Sequence, residues 1–87
     1  MFGQYYSGHP MVANSAYHIA GSRMSGFLAT VAGTITVTDH EPTDGSNAII
    51  VNALPLAVGF NRIPLLFQST AGADVQLAGG AAGTLLI

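Results

Sequence analysis

The stretch Thr34-Ile35-Thr36-Val37-Thr38 decides the fold class of this 87-residue chain. Ile35 and Val37 share one face of the predicted strand, and three threonines occupy the other face. Alternation with a period of two is typical of an antiparallel strand that packs one face on a core and leaves the other in water. The pattern therefore predicts an all-β chain.

The residues that follow this strand predict a hairpin. Residues 39–47 are polar throughout and contain Pro42-Thr43-Asp44-Gly45, a turn sequence, so we expect an exposed loop there. Residues 48–53 form the returning strand, and their apolar, β-branched composition predicts burial on both faces. Proline cannot donate to a sheet ladder, so Pro55 and Pro64 are expected at strand ends or on edges.

Further short strands are expected at residues 27–31, 60–67, 74–77 and 83–87, with turns at 69–72 and 79–82. The three phenylalanines of these strands, Phe27, Phe60 and Phe67, are expected in the core. About five or six strands with turns every 8–12 residues or so predict a small antiparallel β-sandwich or barrel. We assign this domain to residues 26–87.

Residues 1–25 show neither sustained alternation nor a helical stripe, and they hold all three tyrosines. Tyrosine suits contact surfaces because its ring is apolar and its tip polar. A floppy tail is the alternative, but large apolar residues are uncommon in disordered tails. We therefore predict an extended N-terminal arm that contacts partner proteins. Its candidate contact residues are Phe2, Tyr5, Tyr6, Met11, Tyr17 and Ile19.

The charge composition excludes one class of partner and opposes another. Charged residues make up 7% of the chain, the net charge is −2, and Arg23 and Arg62 are the only fixed cations. Two arginines cannot neutralise a run of phosphates, which excludes nucleic-acid binding. Residues 48–67 are long and apolar enough to suggest a membrane span, but two prolines and Arg62 oppose a spanning helix. We expect no membrane partner.

The small size of the domain predicts homo-oligomerisation. A domain of this size buries only about 60–65% of its unfolded surface, and disulfides, metals or oligomerisation usually supply the missing support. The chain has no cysteine, which removes the first of these. Association would also cover the apolar surface that so few charges cannot mask.

No phosphate-binding or hydrolase motif is present. The stretch Gly79-Gly80-Ala81-Ala82-Gly83-Thr84 lacks the lysine and the following helix that a phosphate-binding loop requires. No Gly-x-Ser-x-Gly sequence occurs, so a serine nucleophile on a sharp turn is not predicted. We expect no catalytic residue and no cofactor.

Metal binding is likewise not predicted. Asp39, Glu41, Asp44 and Asn47 offer oxygen ligands of the kind that calcium prefers, but their spacing does not match an EF-hand. We interpret them as a solvated acidic hairpin tip. The spacing of the three histidines, His9, His18 and His40, does not select a metal site either.

The second half of the chain resembles small virion structural proteins of tailed bacteriophages. The resemblance lies in residues 48–55, in Ile63-Pro64-Leu65 and in residues 75–85, within a Thr-rich, lysine-poor β-domain of residues 26–87. It implies a protein present in many symmetric copies on the head or tail, often as a trimer, with an arm on its neighbours. It carries over no functional residue.

These observations together predict a non-enzymatic structural protein of a phage particle. A capsid decoration (cement) protein on the capsid surface, in contact with the major capsid protein, is the favoured form. A tail or connector component is the first alternative. The second is a module that binds a host glycan or surface protein through the loop of residues 39–47.

Overall fold

The computed structural model describes residues 8–20, 23–40, 47–66 and 72–87. These residues form eight strands: β1 (Gly8–Met11), β2 (Ala16–Ile19), β3 (Arg23–Val31), β4 (Gly33–His40), β5 (Asn47–Leu56), β6 (Gly59–Leu66), β7 (Ala73–Ala78) and β8 (Ala82–Leu86). No helix that could cross a membrane occurs within these four ranges. The all-β prediction is confirmed.

The strands form two four-stranded antiparallel sheets. The first sheet has the order β1-β8-β3-β6, and the second has the order β2-β7-β4-β5. Side chains of both sheets make up one apolar core. The strand order is the one found in jelly-roll domains, in which two antiparallel sheets enclose the core.

Four connections cross between the sheets at the same end of the sandwich. The register partners Met11↔Gly83 and Ala29↔Gly59 lie at this end of the first sheet. Gly33↔Leu56 and Thr34↔Ala78 lie at this end of the second sheet. We call it the loop end and define it by the four connections, residues 12–15, 32, 57–58 and 79–81.

The core consists of alternate residues of the paired strands. Ile35 and Val37 are fully buried in β4, and the three threonines that alternate with them are partly exposed, which confirms the interpretation of the central stretch. The largest fully buried side chains are Phe27, Ile19, Met24, Ile35, Leu77, Leu85, Val37 and Val75. A one-residue slip of any of these strands would expose its buried face, so the pattern fixes the register.

The predicted hairpin is present as the antiparallel pair β4 and β5, whose register runs from Gly33↔Leu56 to His40↔Asn47. Residues 41–46 of the predicted loop lie outside the described residues. Burial of residues 48–53 on both faces is wrong, because β5 is the outermost strand of its sheet and Ile49 and Ile50 are exposed. Two register shifts in the pairing of β4 with β5 also interrupt the alternation of side chains along β5.

The prediction of five or six strands is also wrong, because the described residues contain eight. Two of the additional strands come from the segment that was assigned to an arm. β1 pairs with β8 and β2 pairs with β7, so each of them is an edge strand of its sheet. No arm is therefore shown over residues 8–20 and 23–25, and residues 1–7 lie outside the described residues.

Prolines and glycines occupy the positions that their backbone chemistry requires. Pro55 lies in β5 and Pro64 in β6, both outermost strands, as predicted. Gly79 and Gly80 have φ of 68° and 86°, and the N–H of Ala81 donates to the carbonyl of Ala78 at 3.3 Å. Two successive positive φ values define a type I′ turn, which confirms the turn predicted at residues 79–82.

Candidate interaction surface

Eight large apolar side chains are exposed among the residues that the structure describes. Five of the eight fall within residues 49–60, where no charged residue occurs. The eight residues are Val12, Leu28, Val31, Ile49, Ile50, Leu54, Val58 and Phe60. Contiguous apolar patches on soluble proteins mark interaction sites, whereas scattered single residues do not. Whether these side chains indicate an interaction site therefore depends on which of them are adjacent.

Leu28 and Phe60 form one contiguous patch on the outer face of the first sheet. They are cross-strand register partners on β3 and β6, with 44% and 57% of their surface exposed. The Phe60 ring lies over Gly26, so closely that a Cβ on Gly26 would stand 3.1 Å from it. We call Leu28 and Phe60 the outer-face pair. Directly opposed apolar residues lie close together, so the pair presents one surface.

The exposure of Phe60 corrects its predicted place in the core. Within β6, Asn61 is partly buried and Ile63 is buried, whereas Phe60 and Arg62 are exposed. Alternation therefore sends Phe60 outward. Phe27 is fully buried, as predicted, and Phe67 lies outside the described residues.

Three exposed valines lie on three connections of the loop end or beside them. Val12 follows β1, Val31 ends β3 and Val58 precedes β6, with exposures of 75%, 49% and 68%. β1, β8, β3 and β6 are neighbours in that order, and strands are spaced by about 4.8 Å. The three valines therefore lie on one end of one sheet. The connections of this end contain no titratable side chain.

The side chain of Asn61 holds the connection that carries Val58. Its Oδ1 accepts the N–H of Ala57 at 3.0 Å, and its Nδ2 lies 2.8 Å from the Ala57 carbonyl and 3.0 Å from the Gly59 carbonyl. The same nitrogen lies 3.3 Å from the carbonyl of Phe27 on β3. One amide thereby fixes the turn and ties it to the neighbouring strand.

Asn14 performs the same task for the connection that carries Val12. It adopts φ of 58°, and its Oδ1 accepts the N–H of Gly80 at 2.8 Å. The hydroxyl of Ser15 donates to the carbonyl of Val12 at 2.7 Å, and the Ser15 carbonyl accepts the N–H of Leu77 at 2.9 Å. These hydrogen bonds tie the connection between β1 and β2 to β7 and to the connection between β7 and β8.

The sequence analysis singled out neither asparagine. Asn14 carries a recognisable local signal, because asparagine tolerates positive φ better than other residues with a side chain. Asn61 carries none, since its role depends on β5 and β6 meeting across a two-residue connection. The sequence analysis assigned Leu28 to a strand but did not say whether its side chain faces the core or the solvent.

The residues predicted to contact partners lie elsewhere. Met11 and Ile19 are buried in the core, and Tyr17 is partly buried. The Tyr17 ring stacks on His9 of β1 with 3.6 Å between centroids and 22° between planes, so the two rings join the sheets at one edge. Phe2, Tyr5 and Tyr6 lie outside the described residues.

A shallow depression on the second sheet contains a hydrogen-bonded pair of a histidine and an aspartate. His18 Nδ1 and Asp74 Oδ1 are 2.8 Å apart on the register partners of β2 and β7, and both side chains are about half exposed. The depression is lined by Ala16, Tyr17, His18, Asp74, Val75 and Gln76. The lining offers no serine, threonine or cysteine for the histidine to activate.

Asp39, the acidic residue of the predicted hairpin tip that the structure describes, lies at the opposite end of the sandwich from the loop end. Asp39 is near the end of β4, and its Oδ1 atom is buried without a hydrogen-bond partner. Glu41 and Asp44 lie outside the described residues. The part of the chain that the structure describes contains no group of three metal-ligating side chains.

Comparisons of the chain with protein-family models, with curated proteins and with solved structures gave no match.

Proposed function

We propose that this chain is a non-enzymatic structural protein of a phage particle, a capsid decoration (cement) protein that binds its neighbours through the outer-face pair. It acts on the capsid surface as a homo-oligomer, with a trimer favoured, and the major capsid protein is its partner. The virion assignment comes from the sequence resemblance. The observation that carries the binding surface is the exposure of Leu28 and Phe60 as adjacent register partners on an open sheet face.

Two physical features support a structural role. When a partner covers the exposed leucine and phenylalanine, the free energy falls by about 25 cal/mol for each Å² of apolar surface that is removed from water. They lie on two paired strands rather than on a loop, so binding orders no backbone and costs little entropy. Jelly-roll domains also occur in viral coats, although the same fold serves lectins and cupins, so the fold alone does not select a function.

The test is co-sedimentation of the purified chain with head shells assembled from the major capsid protein of the phage to which the proposal assigns it. We expect the native chain to bind and Phe60→Asp to bind at least tenfold more weakly, because a buried carboxylate would lack a partner. Ile49→Asp is the matched control, since Ile49 is 61% exposed but lies on the second sheet. Equal binding of both variants, or no binding of the native chain, would overturn the proposal.

A tail or connector position is distinguished in the same experiment. Tails separated from heads replace the head shells in a parallel sedimentation run. Binding to tails alone, with loss in Phe60→Asp, would keep the structural role and the surface but move the location.

A further inference from the structure

Arg62 borders the outer-face pair on the same face of β6. Phe60 and Arg62 are two residues apart on the strand and both are exposed, whereas Asn61 is partly buried and Ile63 is buried. Alternate residues of a strand point to the same face of a sheet and lie about 6.6 Å apart along it. Arg62 therefore lies beside Phe60 on the surface that the proposed function assigns to binding.

Gly26 allows the aromatic ring to approach the position of the arginine. Gly26 is the register partner of Arg62 on β3. A Cβ on Gly26 would stand 3.1 Å from the Phe60 ring, so the ring covers the glycine and extends towards the row that Arg62 occupies. Diagonal neighbours of this kind lie within reach of aromatic side chains. An apolar ring and a cationic residue thus adjoin on one open face.

The positive charge of Arg62 has no opposite charge beside it in the described strands. Its guanidinium forms no ion pair and no hydrogen bond within residues 8–20, 23–40, 47–66 and 72–87. The two acidic residues of these ranges, Asp39 and Asp74, lie on β4 and β7 of the other sheet, and Asp74 is bonded to His18. Among the described residues, the outer face of the first sheet therefore presents an uncompensated positive charge beside an apolar pair.

This combination indicates the chemistry of the surface that fits it. A partner that covers Phe60 also removes water from the neighbouring guanidinium, which costs free energy unless an opposite charge replaces that water. A carboxylate matches the planar guanidinium with two parallel hydrogen bonds, and a guanidinium is more weakly hydrated than an ammonium group. Aromatic residues and arginine are also enriched where proteins bind each other. The fitting partner is a protein surface with a carboxylate beside an apolar patch.

An anionic lipid surface fits this face less well. Attraction to anionic lipids is built from clusters of basic residues, and stable anchoring takes more than one signal. The described strands of the first sheet contain two cations, and Arg23 begins β3 three residues before Gly26 rather than beside the outer-face pair. A single arginine is enough for one carboxylate of a protein.

We infer that Leu28, Phe60 and Arg62 form one recognition site, whose partner is a protein surface that carries an aspartate or glutamate at the border of an apolar patch. Arg62 selects the carboxylate, and the outer-face pair supplies the apolar contact. This inference rests on the binding surface of the proposed function and adds the chemistry of the partner.

The compound 2-naphthoate, a fused aromatic ring with one carboxylate, probes the site without the partner. The neutral analogue of similar shape is 2-naphthalenemethanol. In an NMR titration of the native chain, we expect shift changes at residues 26–28 and 60–62, and about threefold tighter binding of naphthoate than of the alcohol. Arg62→Gln should remove this preference. Arg23→Gln makes the same change of charge at the start of β3 and should keep it.

The same two positions are then compared on the head shells of the proposed function. Arg62→Glu should bind the shells at least about tenfold more weakly than the native chain in about 50 mM salt, and Arg23→Glu should stay within about twofold. The loss should shrink in about 500 mM salt, because dissolved ions screen the interaction of the two charges. Circular dichroism confirms that the variants are folded.

Two results would overturn the inference. One is naphthoate that binds the native chain no better than the alcohol, or binds it away from these residues. The other is a set of shells that binds Arg62→Glu as tightly as Arg23→Glu. Sedimentation with phosphatidylserine vesicles that Arg62→Gln abolishes would assign the site to a lipid surface and overturn it as well. A native chain that prefers naphthoate through Arg62 but binds no shells overturns only the proposed function.

Discussion

The side chain of Asn14 accepts a hydrogen bond from the backbone N–H of Gly80, 66 residues further along the chain, at 2.8 Å. The N–H of Asn14 in turn donates to the carbonyl of Ala81 at 3.3 Å. The first connection of the sandwich is thereby joined to the last one. Because these bonds lie beside Val12, they fix the position of one of the exposed valines.

Replacing Asn14 with alanine should lower the free energy of unfolding by about 1–2 kcal/mol. The variant loses the bond to Gly80 and leaves alanine at a positive φ, which is strained. Asn14→Gly should cost less, because glycine adopts that φ freely. Urea denaturation measures both variants, and a larger loss in the glycine variant would contradict the argument.

The Asn61 amide can be tested with a nearly isosteric change. Asn61→Asp keeps the acceptor for the Ala57 N–H but places a carboxylate oxygen against the carbonyls of Ala57 and Gly59. We expect it to destabilise the chain at neutral pH at least as much as Asn61→Ala, by about 1–3 kcal/mol. Asn52→Ala, on the exposed face of β5, serves as the control and should change stability by less than about 0.5 kcal/mol.

Phe27 on β3 and Phe60 on β6 allow a buried phenylalanine to be compared with an exposed one in the same pair of strands. Phe27→Ala should destabilise the chain by about 3–5 kcal/mol, because it leaves a cavity where the ring is fully buried. Phe60→Ala, at 57% exposure, should cost about 1 kcal/mol or less. Thermal or urea unfolding gives both values. Similar losses in the two variants would mean that Phe60 is a core residue after all.

The turn at Gly79-Gly80 offers a stabilising substitution. Asparagine followed by glycine is the preferred pair of a type I′ turn, and a Cβ on Gly79 would meet Gly33 Cα at an ordinary 3.5 Å. Gly79→Asn should therefore be neutral or stabilise by up to about 1 kcal/mol, through the smaller entropy of the unfolded chain. Gly79→Val should destabilise, since β-branched residues avoid positive φ. Melting temperatures check the order of the three proteins.

Deletion of residues 1–25 should abolish folding rather than only partner binding. It removes β1, β2 and the start of β3, opens the edges of β8 and β7, and takes Met11 and Ile19 from the core. This loss exceeds the total stability of a typical small domain, about 5–15 kcal/mol. Circular dichroism and binding of a hydrophobic dye report the result. A truncated chain that unfolds cooperatively would restore the arm hypothesis.

The sequence predicts the parts of this fold that depend on neighbouring residues. The period of Ile35 and Val37, the hairpin after them and the turn at Gly79-Gly80 are all local features, and the structure confirms each. Phe60 shares its strand face with the exposed Arg62, so its outward direction was available from the sequence, whereas the burial of residues 48–53 depends on where β5 lies in its sheet. That is a property of the topology, and no local pattern contains it.

The strands of the N-terminal segment depend even more on residues that are distant in the sequence. β1 and β2 are four residues each and find their partners in β8 and β7, near the other end of the chain. Strands this short have too few residues for alternation to be seen. The candidate surface was missed for a related reason, because the adjacency of Leu28 and Phe60 follows only from the pairing of β3 with β6.

The pairing of β1 with β8 also has a consequence for synthesis of the chain. On the ribosome, β1 and β2 emerge first but cannot join their sheets until the last two strands have been translated. The sandwich therefore forms completely only after its final strand has been translated, and until then β1 and β2 have no partner strands.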